Sequence, residues 1–555
     1  MKLKRLARYL PHWLTFVSGI LITLVFAPWN ISWLVWIALI PWFESIRRSP
    51  TYKRALIEGV WMSFFMTIGA FSWVSSVLHE YAGIPLPVCV IGLLFYGTFA
   101  QPQFLLFAPF QKWIQDRQAK TSSEISAPTL ALVVVALGLI YSGGDWLLPK
   151  LFVDTLGHAL SHWENLRQIA DIGGPALLTF LIFLVNYSLW DLVSRLARRT
   201  EPSAWPTLKS SGAVLVMTLF ICGIATLYGM NRNQLVTELL KSPERTIQIG
   251  VIQANIGDFD KIASETGVRG AGQKVMETFY SMSDQALLMS PKPEALIWPE
   301  TSYPSTFRNP MNSEEFGRDR GVEAFVKSRG VPLLFGGYDR DKVSDYNAFF
   351  YLAPNPQSDG DLQVYRKNIL LMFGEYIPGA DYFPWLKKAF PMVGFFGRGP
   401  GPQVLTIPTR NSKFPEVKTS PVICYEVLFP NFVIEAVRKG SQLITNVTND
   451  SWFGPYGEPE LHLALSMFRS IESRVPQIRS TNTGISALIL PNGEITQPTP
   501  LFEPTILNAA VPIIRPVPTL MLKWGDWYGR VAVIVGLMIL GFALRGTQSI
   551  QLSKT

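Results

Sequence analysis

Charge, cysteine and histidine are all scarce in this 555-residue chain. Only 16% of its residues are charged and 48% are hydrophobic, a balance that places it among membrane proteins rather than soluble enzymes. Three cysteines cannot form a disulfide framework: Cys89 and Cys222 fall in apolar segments, which leaves Cys424 without a plausible partner. Five histidines, His12, His79, His158, His162 and His462, show no metal-ligand spacing, and His158 with His162 lacks the glutamate of a zinc-protease motif, so no metal is expected. No internal repeat or low-complexity segment is present. The net charge of +8 does not argue for nucleic acid, because the basic residues sit between hydrophobic segments.

Long apolar runs are what the first half has in plenty. They lie at about Trp13 to Pro28, Ile31 to Phe43, Ala55 to Leu78, Leu86 to Phe110, Ala127 to Leu148, Gly173 to Val193 and Gly212 to Met230. Most approach the roughly 20 residues that a helix needs to cross the hydrocarbon layer. The first follows Lys2, Lys4, Arg5 and Arg8 but has no small-residue cleavage site after it, so it reads as an uncleaved span. Alternate loops are basic: the N-terminus, Arg47 to Arg54, Lys112 to Lys120, and Arg195 to Lys209. Basic loops face the cytoplasm, and seven crossings would deliver everything after Met230 to the outside. A last run, Val531 to Leu544, with Trp524 and Trp527 before it and Arg545 after it, is expected to be an eighth span, and the spans are expected to lack paired buried charges. The expected organisation is a membrane domain over 1–232, an extracytoplasmic catalytic domain over 244–515 and a C-terminal helix over 524–546.

Between the anchors the pattern changes to short apolar runs separated by amphipathic stretches. Strands are expected at Thr246 to Gln253, Ala295 to Trp298, Pro332 to Gly336, Asn347 to Leu352, Leu362 to Tyr365, Pro421 to Cys424, Leu443 to Asn446 and Ile485 to Leu490. Helices are expected at Gly272 to Leu288 and Pro430 to Lys439, and the alternation implies layered α/β packing.

Three residues fall at strand ends with the chemistry of acyl transfer. Cys424 ends one strand ahead of a helix, a position whose dipole would lower the thiol pKa. Glu300 follows the strand ALIW and could act as a general base, and Lys367 ends another strand, where an ammonium could meet a developing oxyanion. Taken singly, a buried structural cysteine and two solvated surface charges are the alternatives; the combination favours catalysis.

The segments WPE at Glu300, YRK at Lys367 and ICYE at Cys424 resemble the nitrilase superfamily of carbon-nitrogen hydrolases, whose triad lies in an α-β-β-α sandwich. More narrowly, FGEYIP (Phe373 to Pro378), ICYEVLFP, TNDSWFG (Thr448 to Gly454) and RSTNTGIS (Arg479 to Ser486) resemble the apolipoprotein N-acyltransferase family, which joins that sandwich to eight membrane helices. The resemblance implies Glu300 as base, Lys367 as oxyanion stabiliser and Cys424 as nucleophile, with Glu375, Tyr425, Glu426, Asn449, Trp452 and Phe453 supporting catalysis or binding substrate, and with Asp450 in the same loop near the site. Asn482 and Gly484 match a segment beside the cleft. Met372 stands where the family usually has proline, and Leu151 to His158 do not reproduce its Phe-Pro-Trp element.

The activity so implied moves an acyl chain from a membrane phospholipid, through a thioester on Cys424, to the N-terminal amine of a diacylglyceryl-cysteine apolipoprotein. It needs no cofactor, because the ester is already activated. The expected setting is the bacterial inner membrane with the catalytic domain outside the cytoplasm, in a monomer that binds no nucleic acid. Tyr382, Phe383, Trp385, Phe390, Met392, Phe395 and Phe396 read as an arm for the lipid surface. The rivals are a membrane-tethered amidase that uses water, and a non-enzymatic scaffold or transporter.

Overall fold

The structure is a computed structural model that describes residues 9–80, 84–120, 126–197, 204–257, 263–265, 268, 270–355, 357, 360–389, 393–410, 412–454 and 457–552. The basic residues Lys2, Lys4, Arg5, Arg8, Arg198 and Arg199, and Phe390 and Met392 of the aromatic arm, lie outside the described residues. The chain divides into two compact units, Met1–Asn233 with Asp526–Thr555, and Gln234–Gly525.

The first unit is helical. Among the described residues, six helical stretches are long and apolar enough to cross a membrane: Tyr52–Phe71, Leu86–Arg117, Ala127–Leu147, Leu166–Leu196, Leu208–Lys241 and Tyr528–Arg545, with Trp13–Val25 a shorter apolar helix. The run at Ile31 to Phe43, expected to be a span, is instead a 3₁₀ turn, Ser32–Trp36, followed by the short helix Ile40–Arg48. Asn30 at φ 52° before it and Pro41 inside it break the run. A buried side chain from another helix repairs the break: Asn186 Oδ1 accepts from the Leu39 amide at 2.9 Å, and its Nδ2 donates to the Val35 carbonyl at 2.8 Å. Irregular backbone packed among apolar helices persists only when its polar groups are met internally.

Buried ion pairs correct a second expectation. Lys150 lies 2.7 Å from Asp145 with both side chains buried, Arg232 lies 2.7 Å from the buried Asp171, and Arg54 lies 2.6 Å from the fully buried Glu58. Glu58 also accepts from Thr15 Oγ1 at 2.6 Å and so ties Trp13–Val25 to Tyr52–Phe71.

The second unit holds two six-stranded sheets. Strands β1 (Arg245–Gln253), β2 (Ala295–Ile297), β3 (Leu333–Arg340), β4 (Asp345–Ala353), β5 (Asp361–Arg366) and β12 (Thr505–Ile513) form one, ordered β12-β1-β2-β3-β4-β5. Strands β6 (Leu405–Pro408), β7 (Glu416–Ile423), β8 (Leu443–Thr448), β9 (Gln477–Thr481), β10 (Ala487–Ile489) and β11 (Ile495–Thr496) form the other, ordered β11-β10-β9-β8-β7-β6. Three central strands of each sheet are parallel, and antiparallel strands flank them.

Side-chain alternation explains why these strands read as continuous apolar runs. Ile297, Leu334, Phe349 and Tyr351 join Ile423, Val447 and Ile478 in one core between the sheets. Their neighbours Leu296, Trp298, Leu333, Phe335 and Phe350 point the other way and pack with Met276, Phe279, Val322 and Phe325 of helices Ala271–Leu287 and Ser313–Arg329. Both faces are covered, so both phases of the period-two pattern are apolar. On the far side, helices Pro430–Arg438 and Glu458–Ser473 pack on each other, the first also against β7. The layers run α-β-β-α.

Candidate active site

The chemistry gathers where strands of the two sheets end. Glu300 lies just past β2, in a segment drawn tightly along β3: a Cβ on Gly336 would stand 2.5 Å from the Thr301 amide nitrogen and 2.6 Å from Glu300 Cα, so glycine is required there. Lys367 follows β5, and Cys424 follows β7 with φ at 50°, a left-handed conformation that non-glycine residues seldom adopt.

Lys367 is buried between two carboxylates. Its Nζ lies 2.8 Å from Glu375 Oε1 and 3.4 Å from Glu300 Oε1. Asn347 on β4 bridges the same pair, with Nδ2 donating to Glu300 Oε1 at 2.8 Å and to Glu375 Oε1 at 2.9 Å. The remaining oxygens are also met, Glu300 Oε2 by the Asn449 amide at 2.9 Å and Glu375 Oε2 by the Leu371 amide at 2.8 Å. All four carboxyl oxygens therefore accept a hydrogen bond. Burial alone would push the Lys367 ammonium down, but Glu375 and Glu300, with Cys424 beyond, hold it well above the usual lysine range.

Cys424 departs from expectation. Burial first, and Glu300 next, push its thiol well above the usual range, against the pull of Lys367 and Thr448. The helix that Cys424 begins, Cys424–Leu428, is a single 3₁₀ turn of five residues, too short for its dipole to offset burial. At rest the Cys424 side chain is therefore a thiol, and its residue keeps partial exposure.

Glu426 fastens the two sheets together. Its Oε2 accepts from Tyr365 Oη at 2.7 Å and the Ile423 amide at 2.8 Å, and its Oε1 accepts from the Asn368 and Ile369 amides at 2.6 and 3.1 Å. This one side chain fixes the turn after Lys367 to the strand end before Cys424. Burial pushes its carboxyl up to about 7 despite four donors. A carboxyl raised in the folded state contributes stability that is full below its ordinary value of 4.5 and is lost as pH rises through 7. The contribution is at most about 3 kcal/mol. The unfolding midpoint of the native protein in detergent should accordingly exceed that of Glu426→Gln most at pH 5, and the gap should narrow towards pH 8.

The other expected residues are distributed unevenly. Tyr425 is buried, its ring edge-on to Phe429 at 5.0 Å. Asn449 supplies its amide to Glu300, while its Oδ1 accepts from Ser451 Oγ at 2.9 Å and Asn482 Nδ2 at 3.2 Å. Phe453 is half-buried in the 3₁₀ turn Asp450–Phe453, and the side chain of Trp452 lies outside the described residues. Where Met372 replaces the family proline, a tight turn forms with Phe373 at φ 65° and its amide donating to Tyr376 O at 2.7 Å. Of the aromatic arm, Tyr382, Phe383 and Trp385 are exposed, but Phe396 stacks on Tyr338 at 5.7 Å and so faces inward.

Sequence reasoning passed over Asn347, whose only signal was a polar residue opening an apolar strand. It also passed over the surroundings of Asp450. Asp450, Glu458 and His462 bring donor atoms within 4.8 Å of one another, as a metal site would. Arg479 Nη2 stands 2.8 Å from Asp450 Oδ2 and 3.2 Å from His462 Nδ1, so a guanidinium already fills the place of a cation.

Two six-stranded sheets packed face to face under helices, with a glutamate, a lysine and a cysteine side by side at their strand ends, define a carbon-nitrogen hydrolase fold. The family model described as Carbon-nitrogen hydrolase matches residues 249–515, and that described as Apolipoprotein N-acyltransferase N-terminal domain matches residues 18–188. The apolipoprotein N-acyltransferase of Bdellovibrio bacteriovorus is 30% identical over 537 residues, covering 95% of this chain and 92% of that protein. The apolipoprotein N-acyltransferase of Geobacter metallireducens is 28% identical over 536 residues, covering 95% and 94%. Among solved structures, an amidase mutant from Nesterenkonia sp. AN1 aligns with a TM-score of 0.35 and 18% identity, over 49% of this chain and 92% of that one. The chain belongs to the apolipoprotein N-acyltransferase family. It is a bacterial membrane-protein acyltransferase.

Proposed function

We propose that the chain moves an acyl group from a membrane phospholipid to Cys424 and from there to the α-amine of a diacylglyceryl-cysteine apolipoprotein. The observation that carries this reading is Lys367, buried between Glu300 and Glu375 beside a protonated, partly exposed thiol. As Cys424 Sγ attacks the ester carbonyl, Glu300 takes the thiol proton and Lys367 faces the oxyanion. The tetrahedral adduct collapses, the lysophospholipid oxygen leaves with the proton from Glu300, and a thioester remains. The lipoprotein amine then attacks that thioester and gives its proton to Glu300, which passes it to the departing Cys424 sulfur, so that the thiol and the Glu300 carboxylate are both restored. Atoms and protons balance without a cofactor.

Six apolar helical stretches anchor the catalyst where both substrates reside. In this reading residues 1–232 and 524–546 form the anchor and 244–515 the catalytic domain, on the extracytoplasmic side of the inner membrane. Exposed Tyr382, Phe383 and Trp385 meet the leaflet, and the enzyme works as a monomer.

The test uses the full chain in detergent with a phospholipid labelled in one acyl chain. A hydroxylamine-sensitive label should appear on the protein, and a diacylated lipopeptide should discharge it while gaining the mass of one acyl chain. Discharge to water as free fatty acid, with no lipopeptide product, would favour the amidase and overturn the proposal.

A further inference from the structure

Behind the triad lies a buried polar layer that the mechanism above does not use. Arg479 on β9 is fully buried, and its guanidinium holds two acceptors at once, Asn446 Oδ1 at 2.7 Å through Nη1 and Asp450 Oδ2 at 2.8 Å through Nη2. The two acceptors flank the end of β8. Asn446 Nδ2 reaches across to the Val422 carbonyl at 3.1 Å, on the strand that carries Cys424. Asp450 Oδ1 accepts from Thr448 Oγ1 at 2.8 Å, which closes the turn around Asn449. The amide of Asn449 is the group that holds Glu300 Oε2.

Space for this arrangement is kept by a glycine. A Cβ on Gly484 would stand 2.2 Å from Asp450 Oδ2, so any side chain there would displace the carboxylate from Arg479. His462 packs on the same guanidinium, its Nδ1 3.2 Å from Nη2, and burial with the Arg479 charge pushes its pKa down against the pull of Asp450. Arg479 and His462 hold the Asp450 carboxyl down, to about 2, against the opposing effect of burial. Arg479 and Asp450 thus face each other as a fully buried ion pair.

We infer that Arg479, acting through Asp450, is a positioning residue for the general base: it fixes the turn whose Asn449 amide aims Glu300, and ties that turn to the nucleophile strand. The inference rests on the reading of Glu300 as base and Cys424 as nucleophile. Arginine suits the task because its planar fork meets two acceptors at once, whereas a lysine ammonium is a point charge on a flexible stem. A misplacement of a base by an ångström or less is enough to cost two decades in rate.

The experiment compares Arg479→Lys and Asp450→Asn, each with Glu300 intact and with Glu300→Gln, in the full chain. With Glu300 intact, both variants should lower kcat for acyl transfer about 100-fold while KM for either substrate stays within about threefold. Alkylation of Cys424 by iodoacetamide, which needs no lipid, should slow about 30-fold with Glu300 present and less than about twofold in Glu300→Gln. Equal slowing in the two backgrounds, or no slowing, would overturn the inference. If Arg479→Lys fails to fold, the near-isosteric Asp450→Asn carries the same comparison. A native chain that shows Glu300-dependent alkylation but transfers no acyl group would sink the acyl-transfer reading and leave this one standing.

Discussion

Cys424→Ala should form no acyl-enzyme and release no N-acylated product, with a loss on the order of 10⁴- to 10⁶-fold, the scale seen when a covalent nucleophile is removed. In the proposed reaction both half-reactions run through one sulfur, so phospholipid consumption and lipopeptide acylation should fall together. Cys424→Ser is the sharper probe. It keeps size and hydrogen-bonding capacity but replaces the thiol by a far weaker acid, so any trapped label should be an oxygen ester that resists neutral hydroxylamine. Label that stays hydroxylamine-sensitive in Cys424→Ser would place the acyl group elsewhere and sink the proposal. The backbone offers an independent check, because Cys424 sits at φ 50°. Cys424→Gly should be more stable than Cys424→Ala by about 1 kcal/mol, since only glycine adopts that conformation without steric cost. The measurement is the unfolding midpoint in detergent. Higher stability in an inactive variant would mean that the native nucleophile is held under backbone strain.

How far the sequence could be read depended on which physical signal each element carries. β1 through β4, β7, β8 and β10 were legible because most of their side chains are buried on both faces, so they stand out as short apolar runs between polar stretches, and the mostly half-buried β5 still shows Leu362, Val364 and Tyr365. β9 was not. Its residues Gln477, Arg479, Ser480 and Thr481 are polar yet fully buried, and Arg479 and Thr481 find their partners in Asn446 on β8 and Gln253 on β1, far away in the chain. The break at Ile31 to Phe43 was hidden for the same reason, since the group that repairs it, Asn186, is about 150 residues away. The three strand-end residues could be named from motifs. Their energetics could not: whether Cys424 rests as thiol or thiolate is decided by burial and by Glu300, against a helix turn too short to compete. Asn347 and Arg479 likewise gain their meaning from contacts made across strands.

Lys367→Met should be the most damaging change at a residue that forms no covalent bond. Methionine nearly matches the stem in volume, so packing persists while the charge disappears. Two consequences follow from the geometry. The oxyanion loses its cation, worth about 10²- to 10³-fold by analogy with loss of one preorganised donor. In addition, Glu300 and Glu375, both hydrogen-bonded to the single Asn347 amide group, face each other without a countercharge. Like charges so close drive one carboxyl to keep a proton, and a protonated Glu300 is no base. The combined loss should reach about 10³- to 10⁴-fold in the acylation step. Stability should fall by about 3 to 5 kcal/mol near pH 7, the cost of stripping one partner from a buried ion pair. Two facing carboxyls without a countercharge repel most when both are ionised, so the variant should regain stability as pH falls and lose it as pH rises. The gap between native protein and variant should therefore be widest near pH 8 and should close towards pH 5. Lys367→Arg restores charge but not the compact ammonium that fits between Glu300 and Glu375, so it should recover part of the stability and little of the rate. A variant with unchanged acylation kinetics would show that the oxyanion is held by another donor, and would leave Lys367 with the task of keeping two carboxylates ionised side by side.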